Sequence, residues 1–318
     1  MKRIAVMAAA LAFAASVFAQ EYPSRPIRIV QGFAPGGNAD NIARVLGNEM
    51  SKSLGQPIVV ETKPGAGGNL AADAVAKATP DGYTLLLAVG GHSVSGALYK
   101  SLPYRSVEDF DWISTATIFA FTISVNSEKG PKTLVELIQQ AKSNSQSVSF
   151  GSAGIGSTQH LTGELLASAT GSKMLHVPYK GDSASLTGLL GGETTFVVAP
   201  PTAVLPLVKG GKLRAIAVTR NVRWQGLPDV PTAEEGGVPG FDVASWAGLA
   251  APAGTPRPIV MRLNAEMQKA LQAAEVRGRL ESFGGEVRGS TPEEMRARVA
   301  SEVARWSKVV REAKIEQQ

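Results

Sequence analysis

The sequence predicts an α/β protein of two lobes, in which parallel sheets are covered by helices. Three observations carry this. Strand-like apolar runs alternate with helical ones almost throughout. The chain that follows residue 19, about 300 residues, is too long for one small core and fits two domains of ordinary size. Two glycine-rich strand-to-helix loops of the same design stand about 115 residues apart.

The first unit is the clearest. Ile27, Ile29 and Val30 form a short strand, and Ile42, Val45, Leu46, Met50 and Leu54 recur at helical spacing. Further strands are expected over 58–61, 84–89, 122–125, 148–150, 175–177, 195–199, 214–219 and 245–249. Helices are expected over 70–78, 134–142, 158–169, 184–190, 203–209 and 260–271. The last helix opens on Thr291, Pro292 and Glu294, a capping box with proline at the first helical position, and continues with Met295, Val299, Val303, Trp306 and Val310 on one face. Residues 126–133 and 226–240 interrupt the periodic segments with turn residues and are the expected hinges. The expected division is 20–125 with 241–290 for one lobe and 126–240 for the other, with residues 291–318 packing across both.

The two loops carry the chemistry. Between the first strand and helix, Phe33, Ala34, Pro35, Gly36, Gly37, Asn38 and Asp40 form a tight turn, with Asn38 or Asp40 as helix cap. A helix start leaves N–H groups unpaired and partially positive, which suits a carboxylate or phosphate. The second loop runs through Ser152, Ala153, Gly154, Gly156, Ser157 and Thr158, with Ser157 as cap. Taken singly, either is also what an ordinary strand-to-helix turn looks like; as a pair they could face one ligand across a cleft.

Lys2 and Arg3, the apolar alanine-rich stretch 4–18, and Val17, Phe18 and Ala19 before Gln20 read as a secretory signal peptide spanning residues 1–19. The stretch is shorter than the roughly 20 residues of a membrane span. With no cysteine, neither disulfides nor a lipid anchor are expected. The expected location is the periplasm, with the signal removed. The net charge of +5 is spread along the chain without a basic stripe, so nucleic-acid binding is not expected.

Enzyme motifs fail one by one. Gly91, His92, Ser93 and Val94 approach a nucleophile elbow, but Ser95 stands where its last glycine belongs. Gly91, His92 and Ser93 are kept as ligand contacts. Gly65 and Gly67 imitate a dinucleotide fingerprint without its third glycine or its ribose-binding acid, and read as a structural loop. Three histidines, His92, His160 and His176, without cysteine or an H-E-x-x-H run, leave no metal site and no cofactor to expect. His160 reads as a donor at the cleft edge and His176 as a core residue of a strand.

Many motifs in order carry a resemblance: YPSRPIRIV, the PGG-x-x-D loop at Pro35 to Asp40, LGQPIVVETKPGAGGNLAAD, PDGYTLLL, GSAGIGSTQHLTGELL, HVPYKG, GKLRAIAVT, LPDVPTAEE and GLAAPAGTPRPIVMRLNAEMQKAL. The chain resembles the tripartite tricarboxylate transporter solute-binding proteins, also called Bug proteins. The resemblance implies a two-lobed periplasmic-binding-protein (Venus flytrap) fold, each lobe a mixed, mostly parallel sheet flanked by helices. It also implies a small carboxylate held by the two loops through backbone amides and water, and delivery to membrane subunits of a tripartite transporter by a monomer. A sensor feeding a two-component kinase is the alternative reading, and a secreted hydrolase ranks last.

The chain departs from the family pattern near Gly181, Asp182 and Pro200. It reads YKGDSA and Gly188 where relatives carry YKG-x-x-P and then an Asp, and Ala199, Pro200 and Pro201 where many place an Asp. The missing carboxylate argues against an amino-acid ligand. Phe119 and Phe121 read as core residues or as the wall of an apolar compartment, and the second reading points to an aromatic or otherwise apolar carboxylate.

Overall fold

The computed structural model describes residues 22–143 and 148–318, so the expected signal peptide lies outside the described residues. The first lobe opens with β1 (Ile27–Gln31), α1 (Asn38–Leu54) and β2 (Ile58–Thr62). A 3₁₀ turn (Ala66–Gly68) then leads through α2 (Asn69–Ala76), β3 (Thr84–Val89) and α3 (Gly91–Leu98) to β4 (Phe110–Ala120). The second lobe holds β5 (Thr122–Asn126), α4 (Leu134–Ser143), β6 (Ser149–Ser152), α5 (Thr158–Thr170) and β7 (Leu175–Pro178). It continues through α6 (Asp182–Gly191), β8 (Phe196–Ala199), α7 (Pro201–Lys209) and β9 (Leu213–Val218). The chain then returns to the first lobe for β10 (Ala244–Pro252), α8 (Arg257–Gln272), α9 (Ala274–Ser282), β11 (Gly285–Val287) and α10 (Pro292–Glu312).

Both sheets are mixed. The six-stranded sheet has the order β11-β4-β10-β3-β1-β2 and the five-stranded sheet β7-β6-β8-β5-β9. The parallel parts are β3-β1-β2 and β8-β6-β7, where short crossover helices return the chain in the same direction. The antiparallel parts, β4 and β10 in one lobe and β5 and β9 in the other, carry the chain between the lobes.

That passage is made by buried extended backbone. Phe121 donates its N–H to the Thr219 hydroxyl oxygen at 2.9 Å, and the Thr219 hydroxyl donates to the Val243 carbonyl at 2.7 Å. Thr219 N–H bonds the Phe121 carbonyl at 3.0 Å, and Val243 N–H the Thr219 carbonyl at 2.8 Å. Three strands are thus tied side by side between the sheets. The stretches expected as hinges lie elsewhere: Ser127 bonds Lys212, while Pro231 and Ala233 bond Val218, all within the second lobe. The chain leaves the first sheet at Ala120, not at 125, because β4 and β5 follow one another with no turn residue to mark the change.

The capping box on α10 is present, with Thr291 and Glu294 each bonding the other's backbone N–H. Its buried face, Met295, Val299, Trp306 and Val310, packs on α3, β4 and α8. Glu302 accepts the Trp246 indole N–H at 2.9 Å. Against the expectation of a helix lying across both lobes, α10 therefore packs on the first, whose sheet supplies the matching apolar surface.

The belt makes one residue testable. Thr219→Val keeps the shape but leaves a buried N–H and a buried carbonyl without their hydroxyl partner. It should cost about 1–3 kcal/mol in denaturant unfolding, and an unchanged midpoint would show that water replaces the hydroxyl.

Candidate ligand-binding site

Helix starts from both lobes converge on one cavity. Its lining includes Asn38 and Ala39 at the start of α1, Thr158 and Gln159 at the start of α5, Asp182 at the start of α6, and Pro200 just before α7. Phe33, Phe119, Phe121 and Val89 supply apolar walls, and Ser245 completes the lining. Phe119 and Phe121 meet edge to face with ring centroids 5.7 Å apart. They are buried, so they pack in the core as well as wall the cavity.

The first loop is held from behind. Asp40 points away from the cavity: its carboxylate accepts the Gly36 N–H at 3.0 Å and the Arg44 guanidinium at 2.9 Å. Burial opposes ionisation there, yet Arg44 and the Gly36 N–H hold the carboxyl below its usual range. Asp40 is therefore a brace for the loop. Pro35 and Gly36 are exposed at the tip, and a Cβ on Gly36 would meet nothing, although its φ of +76° favours glycine. Ala34 faces Gly181 of the other lobe, whose added Cβ would lie 3.3 Å from the Ala34 Cβ.

The second loop rests on a histidine pair. His160 and His176 stack with centroids 4.0 Å apart and an 18° interplanar angle. His176 Nε2 lies 2.7 Å from the Ser152 hydroxyl, Gly156 N–H points to His160 Nδ1 at 3.4 Å, and the Ser157 hydroxyl oxygen accepts the His160 N–H at 3.2 Å. Burial depresses His160 to about 4; burial, then the neighbouring His160, depresses His176 to about 3. Both rings are neutral near pH 7 and support the loop from beneath, outside the cavity lining.

Across the cleft the lobes touch through backbone. Gly67, in the 3₁₀ turn at φ +63°, packs so closely that a Cβ would lie 2.5 Å from the Ile155 carbonyl oxygen and 3.1 Å from Ser157 N. A Cβ on Gly91 would lie 3.4 Å from the Gly156 carbonyl oxygen, and Ser95 donates to that oxygen at 3.4 Å. Thr202 donates to the Asn38 side-chain oxygen at 3.1 Å. Ala153 and Gly154 line a neighbouring gap beside Phe33 and Gly67.

Of the expected contacts, then, Phe33, Asn38, Thr158, Asp182 and Pro200 reach the main cavity. His92 does not: it is buried among Tyr104, Phe110 and Trp112, with Nε2 2.7 Å from the Ser106 carbonyl, and burial lowers it to about 4. Ser93 is fully buried. Ala39, Val89, Gln159 and Ser245 were not singled out from sequence; Ala39 and Gln159 each follow a named helix-start residue, and Val89 ends an expected strand. Gly67, read as structural, sits on the lobe contact.

A carboxylate stands in the cavity after all. Asp182 replaces none of the expected positions but comes at the start of α6, accepting from the Gln159 amide at 3.0 Å, with the Asn38 backbone N–H nearby favouring its ionised form. Burial raises it to about 6, against both of those donors. The Thr158 hydroxyl is buried without a partner among the described residues, an unmet polar group that points to a missing one.

This arrangement, two mixed sheets closing helix starts over a buried cavity, defines the periplasmic-binding-protein fold. The chain belongs to the family described as Tripartite tricarboxylate transporter family receptor, which it matches over residues 42–315. That is a family of solute-binding proteins. The periplasmic binding protein BugD has a solved structure 37% identical to this chain, covering 93% of it and 100% of BugD with a TM-score of 0.89. MatC from Rhodopseudomonas palustris, solved with bound malate, is 37% identical at a TM-score of 0.86, over 91% of this chain and 100% of MatC. Rpa4515 of R. palustris, solved with adipate, is 34% identical at a TM-score of 0.89, over 93% of this chain and 99% of its own.

Two consequences can be measured. Gly67→Ala puts a side chain into the facing loop, so ligand affinity should fall at least about tenfold in calorimetry with the fold intact, whereas Gly36→Ala should leave it nearly unchanged. Separately, an unfolded histidine takes up a proton near pH 6.5 while His160 and His176 resist it to about 4 and 3. The unfolded chain thus binds more protons in that window, and stability must fall as pH drops through it. His176→Gln should flatten the slope of the urea midpoint between about pH 6.5 and 4.

Proposed function

We propose that this protein captures a small carboxylate in the periplasm, closes its two lobes over it and presents it, as a monomer, to the membrane subunits of a tripartite transporter. The observation that carries the reading is the meeting of α1 and α5 starts from opposite lobes in one cavity. Among the described residues, the N–H groups of Ala39 and Asp40 on one side and of Thr158 and Gln159 on the other have no protein partner. Four such donors, on partially positive helix ends, suit one carboxylate shared between the lobes. Phe33, Phe119 and Phe121 then take the apolar body of the ligand, in keeping with an aromatic or aliphatic carboxylate. The malate and adipate carried by the two R. palustris relatives support the carboxylate class. Only the closed form lets both helix starts touch the ligand, so binding drives closure through differential affinity.

Thermal shifts with a panel of aliphatic, aromatic and amino carboxylates test this. A true ligand at about 100 times its Kd should add roughly 2.7 kcal/mol of stability. A panel in which no carboxylate raises the melting temperature overturns the reading, and a response to amino acids alone overturns the apolar-body part of it.

A further inference from the structure

Asp182 is the one ionisable side chain among the residues lining the cavity, and it holds a seat that an anionic ligand could otherwise use. Asn38 and Ala39 at the start of α1 line the cavity. The Asn38 backbone N–H favours the ionised form of the Asp182 carboxylate, which reaches over from the opposite lobe. A Cβ on Gly37 would lie 3.8 Å from Asp182 Oδ2, so the carboxylate sits against the turn that opens the helix. Gln159 donates to its other oxygen at 3.0 Å. The residue is 9% exposed and aimed at the facing lobe, not at solvent.

We propose that Asp182 is a built-in anion that fills a second carboxylate seat of the cleft, so that this protein selects monocarboxylates with an apolar body and rejects dicarboxylates. This rests on the carboxylate reading above and names its ligand class. Helix ends from both lobes can stabilise more than one negative charge. With Asp182 beside the Asn38 N–H and holding the Gln159 amide, a second ligand carboxylate entering the same cavity meets a like charge in a poorly solvated place. Phe33, Val89, Phe119 and Phe121 offer that end of a ligand no donor, and the Thr158 and Ser245 hydroxyls carry no charge to offset Asp182. Rejection by a placed charge is a common route to specificity.

The test uses the full mature chain and a pair of acids of equal length, hexanoate and adipate, titrated calorimetrically at about pH 8, above the value to which burial raises Asp182. Wild type should bind hexanoate more tightly. Asp182→Asn keeps the shape and removes the charge, and should shift the affinity ratio toward adipate by at least about tenfold. Asp182→Glu, which restores the charge, should return preference to hexanoate, and circular dichroism checks that both variants fold. A wild type preferring adipate, or a ratio unchanged in Asp182→Asn, overturns the proposal while leaving the carboxylate reading standing. Failure of both proteins to bind these acids or any of the carboxylate panel overturns both.

Discussion

The cleft depends on the geometry of the strand–helix turn in a parallel sheet. A helix that returns over such a sheet begins at the carboxyl edge of the strand before it, so β1 with α1 and β6 with α5 place unpaired N–H groups at the rims of the two lobes. Because each lobe carries these units, closure brings positive helix ends face to face. Like-signed ends oppose that approach unless negative charge lies between them. Asp182 supplies one such charge from within the chain, and the proposed ligand carboxylate would supply another.

Closeness is the second requirement, and glycine meets it at selected points only. Gly67 allows the 3₁₀ turn of one lobe to touch the backbone of the 155–157 loop of the other. Gly36, in the loop that looks most like an anion cradle, faces open space and serves the turn alone. The histidine pair under Ser152 and Gly156 then sets the height of the second loop, as neutral rings hydrogen-bonded to it. The belt of Phe121, Thr219 and Val243 ties together the extended segments that pass between the lobes.

Much of this was legible along the chain because it is local. Both glycine-rich loops, the Ser157 cap and the Thr291–Glu294 capping box depend on residues within a few positions of one another. Helical spacing marked α1 and α10 for the same reason. The misses are non-local or lack a periodic signature: β4 is buried on both faces and continuous with β5, so it shows no alternation and no boundary, and α3 is built of small residues, Gly91 to Gly96, that resemble a loop. Asp40 and His160 stand in the first turns of α1 and α5, and the direction in which each side chain turns follows from Arg44 and from His176.

By itself the sequence determined the class of fold, the two anion-suited helix starts and the family, since turn chemistry, capping and periodicity are read over short stretches. Only the tertiary structure decided which of those residues share a cavity. The meeting of Asp182 with Asn38, and of Gly67 with Ile155, joins positions far apart in the chain and in opposite lobes, and such pairings arise from closure, which no local pattern encodes.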